Sequence, residues 1–428
     1  MQVSVESGEG LERRMTVELP AEVIEEAVTI RLKQIGRTAK MDGFRPGKVP
    51  MNMLRRQYGG QVLQEVYGQM IETSYQEAID KEHLVPAGMP KIEPAKSDSE
   101  GVFSYIATVE VMPEIELTKL DGEILRPVAD ITDEDVAEMI GKLRKQRGAW
   151  NSVDRAANEG DQVKINFKGL MDGEAFEGGS ADDVPLVLGS NSMIEGFETG
   201  LVGVVKEEKR SLELKFPEDY RVEELAGKPV TFEVEVNEVA EEQLPEVDDE
   251  FAKEFGAGEG VDKLKADIRE NMERELQQRT KAKVKSQAMD LIYNTNSIDI
   301  PAALVDEEIE ALRKQARSHL REGAGSIELP REMFADQAKR RVSLGLLIAE
   351  IIKQHKIELD TDRVRETIEE YAASYETPEE VVQHYYSSRE QLAAVQNVVL
   401  EDQVVDWVLE QANVTDEQTT FAALTAEG

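Results

Sequence analysis

The chain has 428 residues, a formal charge of −37 and no cysteine. That length is too great for one compact core and predicts roughly two to four domains, and the missing cysteine excludes disulfides, a thiolate nucleophile and thiolate metal sites. The acidity sets most of the surface against nucleic acid and anionic lipid. Hydrophobic residues at 40% suffice for cores, and charged residues at 32% with few aromatics predict solvated helices. Residues 1–10 lack the basic and apolar regions of a signal peptide. No apolar run reaches the ~18 residues that a membrane span needs. A cytoplasmic protein is the expectation.

Alternation in Gln2-Val3-Ser4-Val5 and Met15-Thr16-Val17-Glu18 predicts two strands within residues 2–18. Pro20 opens a helix at a position where its missing N–H costs nothing. Val23, Ile24, Ala27, Val28 and Ile35 share one face of that helix, which runs to about Lys40. A loop covers 41–49, and Pro50 opens a second helix to about Glu82. Strands near Lys91–Glu93 and Val102–Val111 complete a small α+β domain over 1–113.

The loop between the helices lies in the only basic island of the chain. Residues 31–56 hold eight basic side chains (Arg31, Lys33, Arg37, Lys40, Arg45, Lys48, Arg55, Arg56) and one acid, Asp42. Gly43-Phe44-Arg45-Pro46-Gly47-Lys48 cannot continue a helix, so it protrudes with an aromatic and two cations at its tip. It suits an anionic partner, although an ordinary turn between helices accounts for the same residues. It is not a phosphate loop. Three residues separate its glycines instead of four, and Val49 stands where a magnesium-binding Ser or Thr is needed.

Residues 114–150 read as a connector. Thr132-Asp133-Glu134-Asp135 opens a helix, and Lys142, Arg144, Lys145 and Arg147 crowd its far end, both as the helix dipole favours. Over 151–245, glycines and strand alternation predict a β-rich domain, as in Val163-Lys164-Ile165-Asn166-Phe167 and Thr231-Phe232-Glu233-Val234-Glu235-Val236. Met171-Asp172-Gly173-Glu174 marks a hairpin turn. Over 246–428 the pattern is helical. Val261, Leu264, Ile268, Met272, Leu276, Val284, Ala288 and Leu291 stripe a helix of about 35 residues, roughly 50 Å long. Pro301 and Pro330 open two more helices. Thr377-Pro378-Glu379-Glu380 reads as a capping box with proline at N1. A helix from about Glu390 to Gln411 precedes a polar tail. Such long helices favour extended arms, with a helical bundle or a dimerising coiled coil as alternatives.

No metal-ligand spacing links His83, His319, His355 and His384, and no nucleophile–base pair is visible. The expectation is a protein without metal or cofactor. Gly256-Ala257-Gly258-Glu259-Gly260 follows no strand and reads as a turn between helices.

The β-rich domain carries ordered landmarks. They are Asn166-Phe167-Lys168-Gly169, Gly173-Glu174-Ala175-Phe176-Glu177, Leu188-Gly189 and Met193-Ile194-Glu195-Gly196-Phe197-Glu198-Thr199-Gly200-Leu201. Over about 90 residues this segment resembles the FK506-binding-protein family of peptidyl-prolyl isomerases. The resemblance implies a curled antiparallel sheet over one short helix. It also implies a catalytic pocket of Phe167, Phe176, Glu177, Met193, Ile194, Phe197, Tyr220 and Phe232, with Phe232 mainly structural. Phe197 stands where the family often has Trp, and Glu177 where it has Asp.

With this domain in the middle, the Gly43–Pro50 segment before it and long helices after it, the whole chain resembles the bacterial trigger factor family. Further matching stretches are Met1-Gln2-Val3-Ser4-Val5, Asn271-Met272-Glu273-Arg274-Glu275-Leu276 and Gln337-Ala338-Lys339-Arg340-Arg341-Val342. The resemblance implies a multidomain α+β fold. Its parts are a ribosome-binding α+β domain, an inserted isomerase domain and an extended all-α arm domain with which the connector packs. It implies an ATP-independent chaperone for nascent and unfolded polypeptides, docked at the ribosomal exit tunnel on a ribosomal protein and ribosomal RNA. Gly43, Phe44, Arg45, Gly47 and Lys48 would make that contact, with Pro46 where many relatives carry a cation. A homodimer of the free chain stays open. Two other readings are a free-standing prolyl isomerase with dimerising helices and a ribosomal-RNA-binding assembly factor. The first predicts a signal peptide and leaves the loop unexplained, and the second predicts a wider basic stripe.

Overall fold

The computed structural model describes residues 1–41, 44, 47–95, 102–171, 173–220, 222, 225–319, 329–373, 375 and 377–426, without the side chains of 177 and 319. Contacts divide the chain into two compact units, residues 1–126 with 282–417 and residues 127–281 with 418–428.

In the first unit, β1 (Gln2–Ser7), β2 (Glu12–Pro20), β3 (Lys91–Pro94) and β4 (Val102–Glu110) form an antiparallel sheet in the order β1-β2-β4-β3. Period-two alternation turns Met15, Val17, Tyr105 and Ala107 to one buried face. Tyr75, Ala78 and Ile79 of α2 (Met51–Glu82) cover that face. The buried Tyr105 hydroxyl lies 2.8 Å from Ser74 Oγ, which satisfies its polar end. The other helix, α1 (Ala21–Thr38), packs Ile24, Val28 and Leu32 against Leu54, Val62 and Val66 of α2. Their four-residue steps keep each set on one helix face. Gly36 permits that approach, because a Cβ there would lie 2.6 Å from Leu54 Cδ1.

The connector contributes β5 (Glu123–Val128) and α3 (Asp133–Gln146). The expected cap forms: Thr132 Oγ1 accepts from the Asp135 N–H at 3.2 Å, and Asp135 Oδ2 accepts from the Thr132 N–H at 2.8 Å. The strands β6 (Ala149–Ser152), β7 (Gln162–Met171), β8 (Glu174–Val187), β9 (Lys209–Lys215) and β10 (Pro229–Gln243) make the five-stranded antiparallel sheet of the second unit. The fifteen residues of β10 let its first part pair with β9 and its last part with β6, while β7 lies on its other edge. Met171 pairs with Glu174 across the expected hairpin, whose Gly173 has φ +85°; Asp172 lies outside the described residues. One helical turn, α4 (Phe197–Gly200), closes the core of this domain.

The helices α5 (Asp249–Glu254), α6 (Val261–Thr295), α7 (Ala302–His319), α8 (Glu332–His355), α9 (Thr361–Ala372), α10 (Pro378–Ser387) and α11 (Arg389–Gln411) follow. In the first unit, Leu120 and Ile124 of the connector pack with Ile292, Leu347, Ile351 and Val404. Two amides, one on α6 and one just past its end, hold the connector backbone. Gln287 accepts from the Leu125 N–H and donates to its carbonyl, at 2.8 and 2.7 Å, and Asn296 Oδ1 accepts from the Thr118 N–H at 2.8 Å. The pair α7–α8 has its own small core of Val305, Ile309, Leu312 and Ala338, and α9 with α11 another of Val364, Ile368, Val395 and Val399.

One expectation needs correction, and the polar tail after Gln411, left without an element, acquires two. It forms β11 (Asn413–Gln418), which pairs with β5, and α12 (Phe421–Ala426). The open edge of β5 gives the polar strand a partner, and Phe421 and Leu424 bury themselves. At Thr377 no backbone cap forms. Its hydroxyl donates to Glu380 Oε2 at 3.3 Å instead of accepting from the helix.

Candidate active site and docking loop

Phe167, Phe176, Met193, Ile194, Phe197 and Phe232 converge on one apolar cluster. Phe197 is 1% exposed and Phe232 6%, while the other four are half-buried. Phe232 is the hub. Its ring meets those of Phe197, Phe167 and Phe176 edge-on at 5.2, 6.0 and 6.5 Å. Edge-to-face packing fixes ring orientations as well as positions. Two glycines make room for Phe176: a Cβ on Gly169 or on Gly179 would come within 2.6 Å of its ring. Tyr220 lies at the exposed margin and reaches the cluster through Phe216, 4.7 Å away. The Glu177 side chain lies outside the described residues.

Two residues escaped the sequence reading. Phe216 is buried and packs against Phe176 at 6.0 Å and Phe232 at 6.4 Å. Its signal was the continued alternation Leu212, Leu214, Phe216 at the end of β9. Glu198 is the second. It is 6% exposed, and its carboxylate accepts from the N–H groups of Gly189, Asn191, Ser192 and Met193 at 2.7 to 3.1 Å. The hydroxyls of Ser190 and Ser192 approach at 3.2 Å. Burial pushes this carboxyl up, but the N–H donors and the Ser190 hydroxyl outweigh it and hold the group below the usual range. Glu198 thereby folds the loop that presents Met193 and Ile194.

This arrangement needs no proton transfer to act on an amide. Resonance resists peptide rotation by ~18–20 kcal/mol. The twisted amide has lost that resonance and is less polar than the planar one. A rigid apolar cleft that fits the twisted form better lowers the barrier by differential binding.

At the other candidate site, Gly43 and Arg45 lie outside the described residues, as do Asp42 and Pro46. The Phe44 N–H donates to Met41 O at 3.0 Å, and the Phe44 ring is exposed. Gly47, at φ +81°, donates its N–H to Gly36 O at 3.0 Å and so ties the loop to the end of α1. Arg31 pairs with Glu65 at 2.6 Å and Arg55 with Glu25 across the α1–α2 seam. Lys33, Arg37, Lys40, Lys48 and Arg56 are exposed. Among the described residues, the basic island therefore divides into cations paired with acids across the α1–α2 seam and cations without such a pairing across it.

Comparison with known proteins assigns these parts. Residues 1–143 match the family described as Bacterial trigger factor protein (TF), and residues 260–410 match Bacterial trigger factor protein (TF) C-terminus. Residues 153–237 match FKBP-type peptidyl-prolyl cis-trans isomerase. The trigger factor of Pseudomonas paraeruginosa (strain DSM 24068 / PA7) is 49% identical over 423 residues, covering 98% of this chain and 97% of its own length. That of Stutzerimonas stutzeri (strain A1501) is 50% identical with the same coverage. A solved structure described as "Promiscuous Substrate Recognition in Folding and Assembly Activities of the Trigger Factor Chaperone" spans 96% of this chain and 99% of its own. Its 20% identity and TM-score of 0.49 are too low for residue-by-residue use. With family matches at both ends, the isomerase match between them and near-full-length relatives at this identity, the chain belongs to the bacterial trigger factor family of chaperones with an FKBP-type peptidyl-prolyl isomerase domain.

Proposed function

We propose that residues 1–113 dock the chain on the ribosome beside the exit tunnel, in the cytoplasm, through Phe44, Arg45 and Lys48. Residues 114–150 act as the connector, 151–245 as the isomerase and 246–428 as the helical chaperone domain. The observation that carries the docking proposal is an exposed Phe44 ring beside exposed cations, on a loop tied to α1, in a chain of charge −37. Screening over roughly 8 Å at physiological salt separates such a patch from distant acids. Phe44 enters an apolar groove, Arg45 and Lys48 meet acidic side chains or phosphates, and Gly43 and Gly47 permit the turn. In the isomerase cleft, Phe197 and Phe232 form the floor, and Phe167, Phe176, Met193 and Ile194 the walls. Tyr220 marks the rim, and Glu177 stands one methylene longer than the Asp with which the family makes its polar contact. Scattered apolar residues on the helical domain hold clients weakly enough to release them without ATP.

The test is ribosome co-sedimentation of Phe44→Ala/Arg45→Ala/Lys48→Ala against the unsubstituted chain. The variant should stay in the supernatant while still suppressing aggregation of an unfolded client. For the unsubstituted chain, log K should fall with log salt at a slope of roughly −2 to −3, as neutralising two or three phosphates requires. Unchanged co-sedimentation of the variant would sink the assignment.

A further inference from the structure

Strand β9 places an arginine where its pattern calls for an apolar residue. Arg210, Leu212 and Leu214 share the inward side of the strand, and Lys209, Ser211 and Glu213 the exposed side. Leu212 and Leu214 join the core of the isomerase domain. Arg210 instead turns its guanidinium to polar atoms. Its Nη1 donates to Gly200 O at 2.9 Å and to Val202 O at 3.2 Å. Its Nε and Nη2 donate to Glu208 Oε1 at 3.0 and 2.7 Å.

Gly200 ends α4, the single turn that carries Phe197. A helix this short has no cooperative stability of its own, so its ends must be held from outside. The carbonyls of Gly196, Glu198, Thr199 and Leu201 accept from N–H groups within 200–204. The carbonyl of Gly200 accepts from Arg210, a basic side chain meeting a last-turn carbonyl. The same strand presses on that end of the turn: a Cβ on Gly200 would lie 2.6 Å from Leu212 Cδ2. Glu208 fixes the guanidinium in its turn. Its Oε2 accepts from the Val205 N–H at 3.0 Å. The Val205 N–H and the Arg210 guanidinium hold the Glu208 carboxyl below its usual range, so it is ionised at neutral pH. Its backbone is tied to β10, because the Val236 N–H donates to Glu208 O at 3.0 Å. Strand β10 also carries Phe232, which pairs with Leu212, while Val234 pairs with Arg210. Arg210 thus links the end of α4 to the strand that bears the hub of the cleft. The ion pair is partly exposed and contributes little energy as a pair. What it fixes is position.

We infer that Arg210, oriented by Glu208, is a positioning residue for isomerisation, setting the depth of the Phe197 ring in the floor of the cleft. The inference rests on the assignment of Phe197 to that floor. A floor at fixed depth distinguishes a twisted amide from a planar one, whereas a floor free to shift fits both alike. Loss of Arg210 therefore weakens transition-state binding more than substrate binding.

Arg210→Met in the full chain keeps the apolar stem and removes the donors. Its kcat for isomerisation of an X–Pro peptide should fall by about tenfold with KM within about twofold, the mark of an interaction made in the transition state. Arg210→Lys can still donate to Gly200 O and should recover most of that loss. A single-tryptophan chain, Phe197→Trp with Trp150→Phe and Trp407→Phe, reads the floor directly. Adding Arg210→Met to it should red-shift the emission and raise acrylamide quenching, well below the melting temperature of both chains. A loss of global stability alone leaves that emission where it was. Parent-like kcat in Arg210→Met, a loss that Arg210→Lys does not recover, or unchanged emission would each overturn the proposal. If Arg210→Met does not fold, Glu208→Gln takes its place in both measurements, with a smaller change in the same direction. Phe197→Ala separates the two assignments. If it loses activity while Arg210→Met does not, the positioning role fails and the floor stands. If Phe197→Ala is as active as the parent, the floor fails and the positioning role fails with it.

Discussion

Glu198 decides the geometry of one wall of the isomerase cleft without lining it. A buried carboxylate ordinarily needs a cation, and this one is held by four backbone N–H groups and two hydroxyls. Because its folded-state pKa is depressed, the stability it contributes is present above the unfolded value of about 4.3. That stability is lost as pH falls through the lower, folded value. Glu198→Gln should therefore flatten the acid limb of stability below about pH 4.3, by up to about 1.4 kcal/mol per pH unit for the one proton removed from the balance. The readout is the urea midpoint followed by Trp150, which lies in β6, in a Trp407→Phe background. Asp161, held low first by Arg155, keeps titrating in the variant, so some slope persists. Catalysis should fall as well, because the loop carrying Met193 and Ile194 loses its anchor. An acid limb identical to that of the parent would remove Glu198 from this role. At this scale the aromatic landmarks were legible because rings at fixed spacing stand out. Glu198 was not, because most of its partners are backbone groups that every residue possesses.

Among the elements, those with a sustained period were visible in the sequence. The starts of α1 and α2, the cap at Thr132 and the 35-residue α6 follow from proline, threonine and apolar spacing. What escaped depends on partners distant in the chain. Strand β11 has almost no apolar residue and exists because β5, nearly 300 positions earlier, leaves an edge for it. Thr377 is a local exception, since it has the residues of a cap but its hydroxyl turns to the carboxylate of Glu380 three positions on. The connector, like β11, depends on a distant partner. Asn296 is 5% exposed, accepts from the Thr118 N–H and donates to Ile292 O at 2.8 Å, so each end of the amide is used. Asn296→Ala leaves that N–H without its acceptor, a loss of about 1–3 kcal/mol. Faster amide exchange at Thr118 and a lower melting temperature of the first unit should appear together. A fall in melting temperature with Thr118 still protected would mean that packing, and not this hydrogen bond, holds the connector.

For the whole molecule, the junction of β6 and β10 defines how the isomerase part can be removed. Ala149 pairs with Gln243 in antiparallel register. Paired positions lie about 4.5–5.5 Å apart, so Gly148 and Leu244 can be joined by a two-residue Asn-Gly turn. A cut at 151 and 240 would instead split both strands and leave their ends unpaired. The flanks keep their own contacts. The Arg144 guanidinium donates to Pro245 O at 2.8 Å, and Arg147 lies 5.4 Å from the Phe255 ring centre. The core of α3, α5 and α6 involves no residue of the excised span. The span carries −13 of the −37 charges, so the remainder stays far from neutrality and from charge-driven precipitation. Excision of 149–243 should abolish isomerisation of an X–Pro peptide. Ribosome co-sedimentation and aggregation suppression should stay within about twofold, because the docking loop and the helical surfaces lie outside the excised span. If the excised chain melts normally but no longer suppresses aggregation, client binding belongs to the isomerase cleft, and the helices serve only to carry it.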